Sequence, residues 1–138
     1  MELTFSQIKE CFAFLRQAKT PNVSSSELGS LLDLFNELKK HSDEFDKSMD
    51  EVREDFFSKN KESCELLRKQ YEANDGLSEE SKEFEALANE TLSKAANEKL
   101  DCKRTIYSNG LSHETLMELV KGIRVAEAAY FVEILKRE

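Results

Sequence analysis

Apolar side chains recur at alternating steps of three and four residues along one long stretch of the chain. Eight of the nine positions in this series are apolar, and Ser42 is the exception. Such spacing is typical of a long helix that lays one apolar seam against partner helices. No proline or glycine interrupts residues 30–75, so the pattern predicts one continuous helix over 25–73. The apolar members of the series are Leu28, Leu31, Phe35, Leu38, Phe45, Met49, Val52 and Phe56.

The composition of the chain indicates the same structural class. Its 138 residues include four glycines and one proline, which is too few for a turn-rich β architecture. Charged residues make up 35% of the chain, a fraction that also occurs in disordered proteins. However, nine phenylalanines and regularly spaced leucines supply enough apolar surface for a modest core. We therefore predict an ordered, all-α protein.

Capping signals mark where the helices begin. Thr4 is followed three residues later by Gln7, and Ser24 is followed three residues later by Glu27, which is the arrangement of a capping box. Ser112 is a third predicted N-cap. The sequences Thr20-Pro21-Asn22, Asn74-Asp75-Gly76 and Asn109-Gly110 are stop signals. The predicted helices cover residues 5–18, 25–73, 79–108, 113–121 and 124–137.

The predicted turn at 74–78 sends the third helix back antiparallel along the second. The apolar spacing of the two helices then places Phe56 opposite Ala95. We predict a single helical domain over 1–138 in which a long antiparallel hairpin, resembling a coiled-coil stalk, occupies residues 44–107. Short N- and C-terminal helices pack against the base of this hairpin, and the base comprises residues 1–43 and 108–138.

Charge and cysteine usage restrict the partners and the compartment. The formal net charge is −8, which disfavours direct binding to nucleic acid because phosphates repel an acidic surface. No segment is apolar enough to span a bilayer, and no signal peptide is recognisable at the N-terminus. Cys11, Cys64 and Cys102 are widely spaced and odd in number, as expected of reduced thiols. We predict a cytoplasmic protein that binds neither membranes nor nucleic acid.

The residue patterns of known catalytic and cofactor sites are missing from the sequence. There is no glycine-rich phosphate loop, no nucleophile elbow and no zinc-binding histidine pair. His41 lies near Glu37 and Glu44 on one predicted helix face, where a weak metal site is conceivable. A solvated polar face is the favoured interpretation of that cluster. We predict a protein that is not an enzyme and has no cofactor or metal.

Two regions are candidates for binding another protein. Residues 62–90 hold nine acids against three bases, and an aromatic side chain among carboxylates suits recognition of a basic surface. The last helix is apolar on more than one face, which fits either burial in the base or a binding or dimer surface. The candidate binding residues are Tyr71, Glu72, Asp75, Glu79, Glu80, Glu83, Tyr130 and Ile134.

One resemblance adds to this interpretation. Several N-terminal segments resemble small helical proteins of bacteriophages that infect Gram-positive bacteria. These segments are Leu3-Thr4 through Ile8, the pair Phe14-Leu15, the serine-rich cap at 24–26 and the charged heptad helix that follows it. The resemblance covers about the first sixty residues. It implies a phage or mobile-element origin and a host cytoplasmic location, and it transfers no site residue.

The predicted function is a non-enzymatic protein–protein interaction. In the first hypothesis, a phage-encoded inhibitor binds a basic surface of a host protein such as a defence nuclease. In the alternative, the chain is a structural, chaperone or virion-assembly protein that uses its hairpin as a scaffold. The predicted partner is a protein with a basic surface, a second copy of the chain as a homodimer, or both.

Overall fold

A computed structural model describes residues 1–137 of the chain. About three-quarters of these residues are helical, which confirms the predicted all-α class. The elements in chain order are β1 (Glu2–Thr4), α1 (Phe5–Gln17), α2 (Ser25–Lys59), α3 (Lys61–Ala73), α4 (Glu79–Leu100), β2 (Lys103–Thr105), α5 (His113–Leu119) and α6 (Val125–Leu135).

The chain divides into two compact units. Unit 1 comprises Met1–Asp43 and Cys102–Glu138, and unit 2 comprises Glu44–Asp101. Helix α2 contributes residues 25–43 to unit 1 and residues 44–59 to unit 2. The two units differ in how much apolar surface they bury, so each is described separately.

Unit 1 contains most of the buried apolar side chains. Ile8 on α1, Leu34 and Leu38 on α2, Leu116 on α5 and Leu135 on α6 are each at most 1% exposed. Helices from both ends of the chain therefore meet residues 25–43 of α2 around one core. Thirteen buried apolar residues are described in this unit: Leu3, Phe5, Ile8, Cys11, Leu15, Leu31, Leu34, Leu38, Ile106, Leu111, Leu116, Leu119 and Leu135.

The predicted apolar seam of α2 is confirmed. Its members are all buried or half-buried, and even the polar exception, Ser42, is only 4% exposed. The Ser42 hydroxyl accepts a hydrogen bond from Lys9 Nζ at 3.2 Å, so this polar residue has a partner on α1. Leu34 lies outside the three-four series, yet its side chain is fully buried.

Capping follows the sequence signals. Thr4 Oγ1 accepts from the backbone N–H of Gln7 at 3.1 Å, and Gln7 Oε1 accepts from the N–H of Thr4 at 3.0 Å, which completes the predicted capping box. Ser24 and Ser112 also accept from backbone N–H groups three residues later. Helices α1, α5 and α6 begin and end within two residues of the prediction, although α6 has no side-chain cap at its N-terminus.

The two-stranded sheet was not predicted. Strand β1 pairs antiparallel with β2, with Leu3 opposite Arg104. The prediction of a helix through residue 108 is wrong, because α4 ends at Leu100 and the chain then turns into β2. Extended pairing gives the backbone of residues 103–105 hydrogen-bond partners that another helical turn would otherwise have supplied. The Arg104 guanidinium also lies 4.7 Å from the centre of the Phe5 ring.

A clasp at the C-terminal end closes unit 1. The N–H of Leu111 donates to the carbonyl of Leu135 at 2.7 Å, and the N–H of Arg137 donates to the carbonyl of Leu111 at 2.9 Å. A Cβ on Gly110 would lie only 2.3 Å from the carbonyl oxygen of Lys136. This close approach explains Gly110, which the sequence suggested only as a helix stop.

Unit 2 contains a break where one continuous helix was predicted over 25–73. Helix α2 ends at Lys59 and α3 starts at Lys61, with Asn60 at φ −130° and ψ 38° between them. The Asn60 side-chain amide donates to the carbonyl of Phe56 at 2.8 Å. Asparagine competes in this way with the backbone for helical carbonyls, which explains the break without proline or glycine.

The predicted pairing of Phe56 with Ala95 stays a prediction. Phe56 stacks on Phe84, with ring centres 5.8 Å apart. Lys99 Nζ of α4 donates a hydrogen bond to Ser48 Oγ of α2 at 2.6 Å, as expected of two helices that run antiparallel. The turn itself is as predicted, with Asn74 left-handed at φ 56°.

Candidate protein-binding surfaces

The net charge of the chain lies entirely in unit 2. Residues 44–101 hold seventeen acids and nine bases, a net charge of −8. The remaining residues, 1–43 and 102–138, hold eleven acids and eleven bases, a net charge of zero. One unit is therefore electrostatically neutral and the other is strongly acidic, a division that the charge of the whole chain conceals.

Residues 62–90, here called the acidic tip, contain most of the predicted binding residues. Arg68 forms ion pairs with Glu65 and with Glu72, the latter at 2.6 Å, and the hydrogen bond from Arg68 lowers the pKa of Glu65. Lys82 lies 3.6 Å from Glu79. All of these pairs join neighbouring turns of one helix and are exposed, so each contributes little to stability.

The other predicted residues of the acidic tip are accessible to solvent. Asp75, Glu80 and Glu83 are exposed, and the Tyr71 side chain is 57% exposed. The Tyr71 hydroxyl donates a hydrogen bond to the Glu85 carboxylate, which raises the pKa of Tyr71. Tyr71 on α3 is therefore held beside α4, with much of its side chain open to solvent.

Unit 2 also exposes large apolar side chains among its acids. The exposed apolar side chains of the unit include Phe57, Leu66 and Leu87, and Leu87 is 52% exposed. Phe57 and Leu66 line a shallow groove of about 710 Å³ near the helix break, together with Cys64 and charged residues of α3. Exposed apolar side chains within a charged surface are common where proteins bind one another.

The two predicted residues of the last helix lie in unit 1, far along the sequence from the acidic tip. The Tyr130 hydroxyl donates to the Glu10 carboxylate of α1, and its ring packs edge-on against Phe131 with centres 5.3 Å apart. Burial, followed by the bond to Glu10, raises the pKa of Tyr130 to about 12. Ile134 is half-buried. Tyr130 is exposed and Leu135 of the same helix is fully buried, so α6 contributes to the core and also has an accessible face.

A groove of about 860 Å³, here called the aromatic groove, opens beside Phe131 in unit 1. Phe131 stacks face to face on Phe14, with ring centres 4.1 Å apart and an angle of 8° between the rings. This site was not predicted. Its signal in the sequence is that a glutamate precedes a phenylalanine by four residues on each of two helices, Glu10 before Phe14 and Glu127 before Phe131.

Two further carboxylates of unit 1 serve as structural acceptors. Glu37 accepts from the backbone N–H groups of Tyr107 and Ser108 at 2.6 and 2.8 Å. Burial opposes ionisation of Glu37, but the side-chain hydrogen bond from Ser108, together with these two backbone bonds, outweighs burial and lowers the pKa of Glu37. Glu27 is bonded to Thr115 and Arg137, and hydrogen bonds from Ser112 and Arg137 lower its pKa.

Histidine, cysteine and acidic side chains are the groups suited to metal binding or nucleophilic chemistry. Within residues 1–137, no cluster of three or more histidine, cysteine or acidic side chains is arranged to hold a metal ion. Burial and the neighbouring Glu10 raise the pKa of Cys11 to about 12, so its thiol is protonated at neutral pH. Cys64 is half-buried and Cys102 is exposed, and both are free thiols.

Comparison of the chain with models of known protein families, with curated proteins and with solved structures gave no significant match. Along residues 1–137, no helix combines the length and apolar character that crossing a membrane requires. The function must therefore be inferred from the surfaces described above.

Proposed function

We propose that this chain is a non-enzymatic protein-binding module whose acidic unit 2 engages a basic surface of another protein. The observation that carries the proposal is the charge division, with −8 in residues 44–101 and zero elsewhere. Concentrated like charge opposes folding by self-repulsion, and a cationic partner relieves that repulsion. It also steers a cationic partner toward the acidic surface.

The exposed apolar residues favour a protein as the partner rather than a simple counter-ion. Phe57, Leu66, Tyr71 and Leu87 lie among the acids of unit 2 and give a partner apolar surface to bury. Aromatic anchors of this kind usually account for much of the affinity of an interface, while surrounding charges set specificity and association rate. Nucleic acid is an unfavourable partner because its phosphates repel this surface.

The proposed consequence of binding is inhibition. A basic surface on a host protein such as a defence nuclease serves to attract phosphates, so an acidic module that covers it excludes the nucleic acid. The alternative function is structural, with copies of this chain assembling through the exposed apolar residues of unit 2. The resemblance to bacteriophage proteins is compatible with either function.

The test compares two variants with equal changes in net charge. Glu79→Lys with Glu80→Lys reverses charge on the acidic tip, and Asp33→Lys with Glu114→Lys reverses two exposed acids of unit 1. Each immobilised protein is exposed to lysate of a Gram-positive bacterium at rising salt, and the retained proteins are identified by mass spectrometry. We expect one basic protein to be retained by the wild-type chain and by the unit 1 variant but not by the tip variant. The amount of this protein that stays bound should fall steeply as the salt concentration rises.

Two results would contradict the proposal or redirect it. Equal loss of binding in both variants would mean that net charge, rather than the acidic tip, governs retention. A stable oligomer of the isolated chain by light scattering, with no basic protein retained, would favour the structural alternative. Thermal unfolding of both variants is measured alongside, because exposed charge reversals should leave the fold intact.

A further inference from the structure

The aromatic groove of unit 1 combines two carboxylates with two stacked rings. Glu10 precedes Phe14 by four residues on α1, and Glu127 precedes Phe131 by four residues on α6. Residues four apart lie on the same face of a helix. Each helix therefore presents one carboxylate and one ring along the same side, and all four residues line the groove.

The charged residues that line the groove favour the binding of a cation. Five charged residues line it, and Lys121 is already paired with Glu118 at 2.7 Å. Apart from this pair, the charged groups of the lining are two carboxylates, Glu10 and Glu127, and one ammonium group, Lys19. The Glu10 carboxylate is fixed by the hydroxyl of Tyr130. A cation bound in the groove would balance the excess of carboxylates and lie beside an outer face of the stacked pair Phe14 and Phe131, an arrangement that attracts guanidinium and ammonium groups.

The rest of the lining is largely apolar or uncharged. Leu119 and Pro21 are buried and Ile123 is half-buried, and the loop after α1 adds uncharged polar groups. A volume of about 860 Å³ is enough for a short peptide segment or a drug-sized ligand. The lining of the groove thus combines carboxylates and aromatic rings with apolar side chains.

We propose that the aromatic groove binds a segment of a partner protein that carries an arginine or lysine beside an apolar side chain. The cationic group lies beside the carboxylates of Glu10 and Glu127 on an outer face of the stacked rings, and the apolar side chain packs on the half-buried Ile123. This site is separate from the acidic surface of unit 2, because all of its lining residues belong to unit 1. It adds a sequence-selective contact to a chain whose other proposed contact depends on net charge.

Three short peptides test the site. The first is acetyl-Leu-Ser-Arg-amide, the second replaces arginine with citrulline, which has a similar shape but no charge, and the third replaces leucine with serine. Each is titrated into the isotopically labelled chain at 150 mM salt while amide chemical shifts are recorded. We expect the first peptide to shift amides of Ala13, Gln17 and Ile123. We expect the citrulline and serine peptides to bind about tenfold and about threefold more weakly.

Variants on α6 complete the test. Glu127→Gln should weaken the arginine peptide about threefold, as expected for one exposed charge pair, and should leave the citrulline peptide unchanged. Glu133→Gln is the matched control, since Glu133 is exposed on the same helix but does not line the groove. The amide spectrum of each variant reports whether the fold is retained.

The results separate this proposal from the function proposed for unit 2. Equal binding of the arginine and citrulline peptides, or equal weakening by both glutamine variants, would overturn the groove site. Shifts confined to residues 62–90 would also overturn it while leaving the acidic unit as the cation-binding surface. Chemical-shift changes of groove amides that require weaker binding constants for the citrulline peptide and for Glu127→Gln would support the groove site. This result would not depend on the outcome of the pull-down for the acidic tip.

Discussion

The two units of this chain are stabilised in different ways. Within the described residues, unit 1 buries thirteen apolar side chains and unit 2 buries four: Phe45, Met49, Phe84 and Ala88. Both units have hydrogen bonds between residues far apart in sequence, such as Glu37 to Ser108 in unit 1 and Lys99 to Ser48 in unit 2. The ion pairs of the acidic tip, however, join adjacent turns of one helix. The clearest difference between the units is therefore the number of buried apolar side chains.

This contrast has a functional consequence. In the proposed function, unit 2 buries little and carries −8, so it keeps apolar and charged groups accessible to a partner, while the neutral unit 1 with its larger core is the stable framework. Regions with few buried contacts open locally at lower free energy than the core does. Residues that bind partners are often found in such regions. The following predictions test the contrast, starting with the largest expected effect.

Truncating a buried leucine should cost far more in unit 1 than in unit 2. Leu34 is fully buried, so Leu34→Ala should lower the free energy of unfolding by about 4 kcal/mol. Leu87 in unit 2 is 52% exposed, and Leu87→Ala should cost under about 1 kcal/mol. Urea unfolding of both variants, followed by circular dichroism, measures the difference. Similar costs for the two would mean that unit 2 is packed as tightly as unit 1.

A methyl group at Gly110 should disrupt the C-terminal clasp. The added Cβ would lie 2.3 Å from the Lys136 carbonyl oxygen, so one backbone segment must shift. We expect Gly110→Ala to destabilise the protein by about 3 kcal/mol, as overpacking in a tight site does. Gly29 is the matched control, because a Cβ there meets nothing within 4 Å inside α2. Gly29→Ala should stabilise by up to about 1 kcal/mol. A neutral Gly110→Ala would show that the clasp is loose.

Periodicity and capping were enough to predict most of the helices, because both signals are local. The seam of α2, the cap at Thr4 and the left-handed turn at Asn74 depend on residues within a few positions of each other. The break at Asn60 is local too, but a single asparagine in a helical pattern is usually tolerated, so the pattern gave no reason to place a break there. The pairing of Phe56 with Ala95 stays a prediction, because it depends on a contact between two helices rather than on a local signal.

The sheet and the aromatic groove could not be found in this way, because they depend on contacts between distant segments. Strands β1 and β2 have three residues each and are about a hundred positions apart. Phe14 and Phe131 meet only because α1 and α6 are packed together. The acidic tip, in contrast, is a compositional feature that the sequence identified directly. The sequence also contained the charge division, which became visible only when the structure assigned residues to units.

Ionisation of Glu37 should contribute to the stability of unit 1 in a pH-dependent way. Its pKa is lowered from an ordinary value of 4.5, so the carboxylate stabilises the folded chain above that pH, and the contribution is lost as pH falls through the lowered pKa. Glu37→Gln should cost about 1–2 kcal/mol at pH 7, because two backbone N–H groups lose a charged acceptor. The cost should shrink below pH 4. Asp33→Asn, at an exposed position of the same helix, should show neither effect.

The smallest predicted effect tests which residue of α4 packs against Phe56 in unit 2. Phe56 and Phe84 stack with ring centres 5.8 Å apart, and aromatic pairs typically contribute about 1 kcal/mol beyond burial. The single variants Phe56→Leu and Phe84→Leu and the double variant form a cycle whose coupling energy should be about 1 kcal/mol. A second cycle with Phe56→Leu and Ala95→Gly tests the hairpin register that the apolar spacing predicts. Coupling in the second cycle but not in the first would mean that Phe56 packs against Ala95 rather than Phe84, and that the ring contact contributes little to the stability of unit 2.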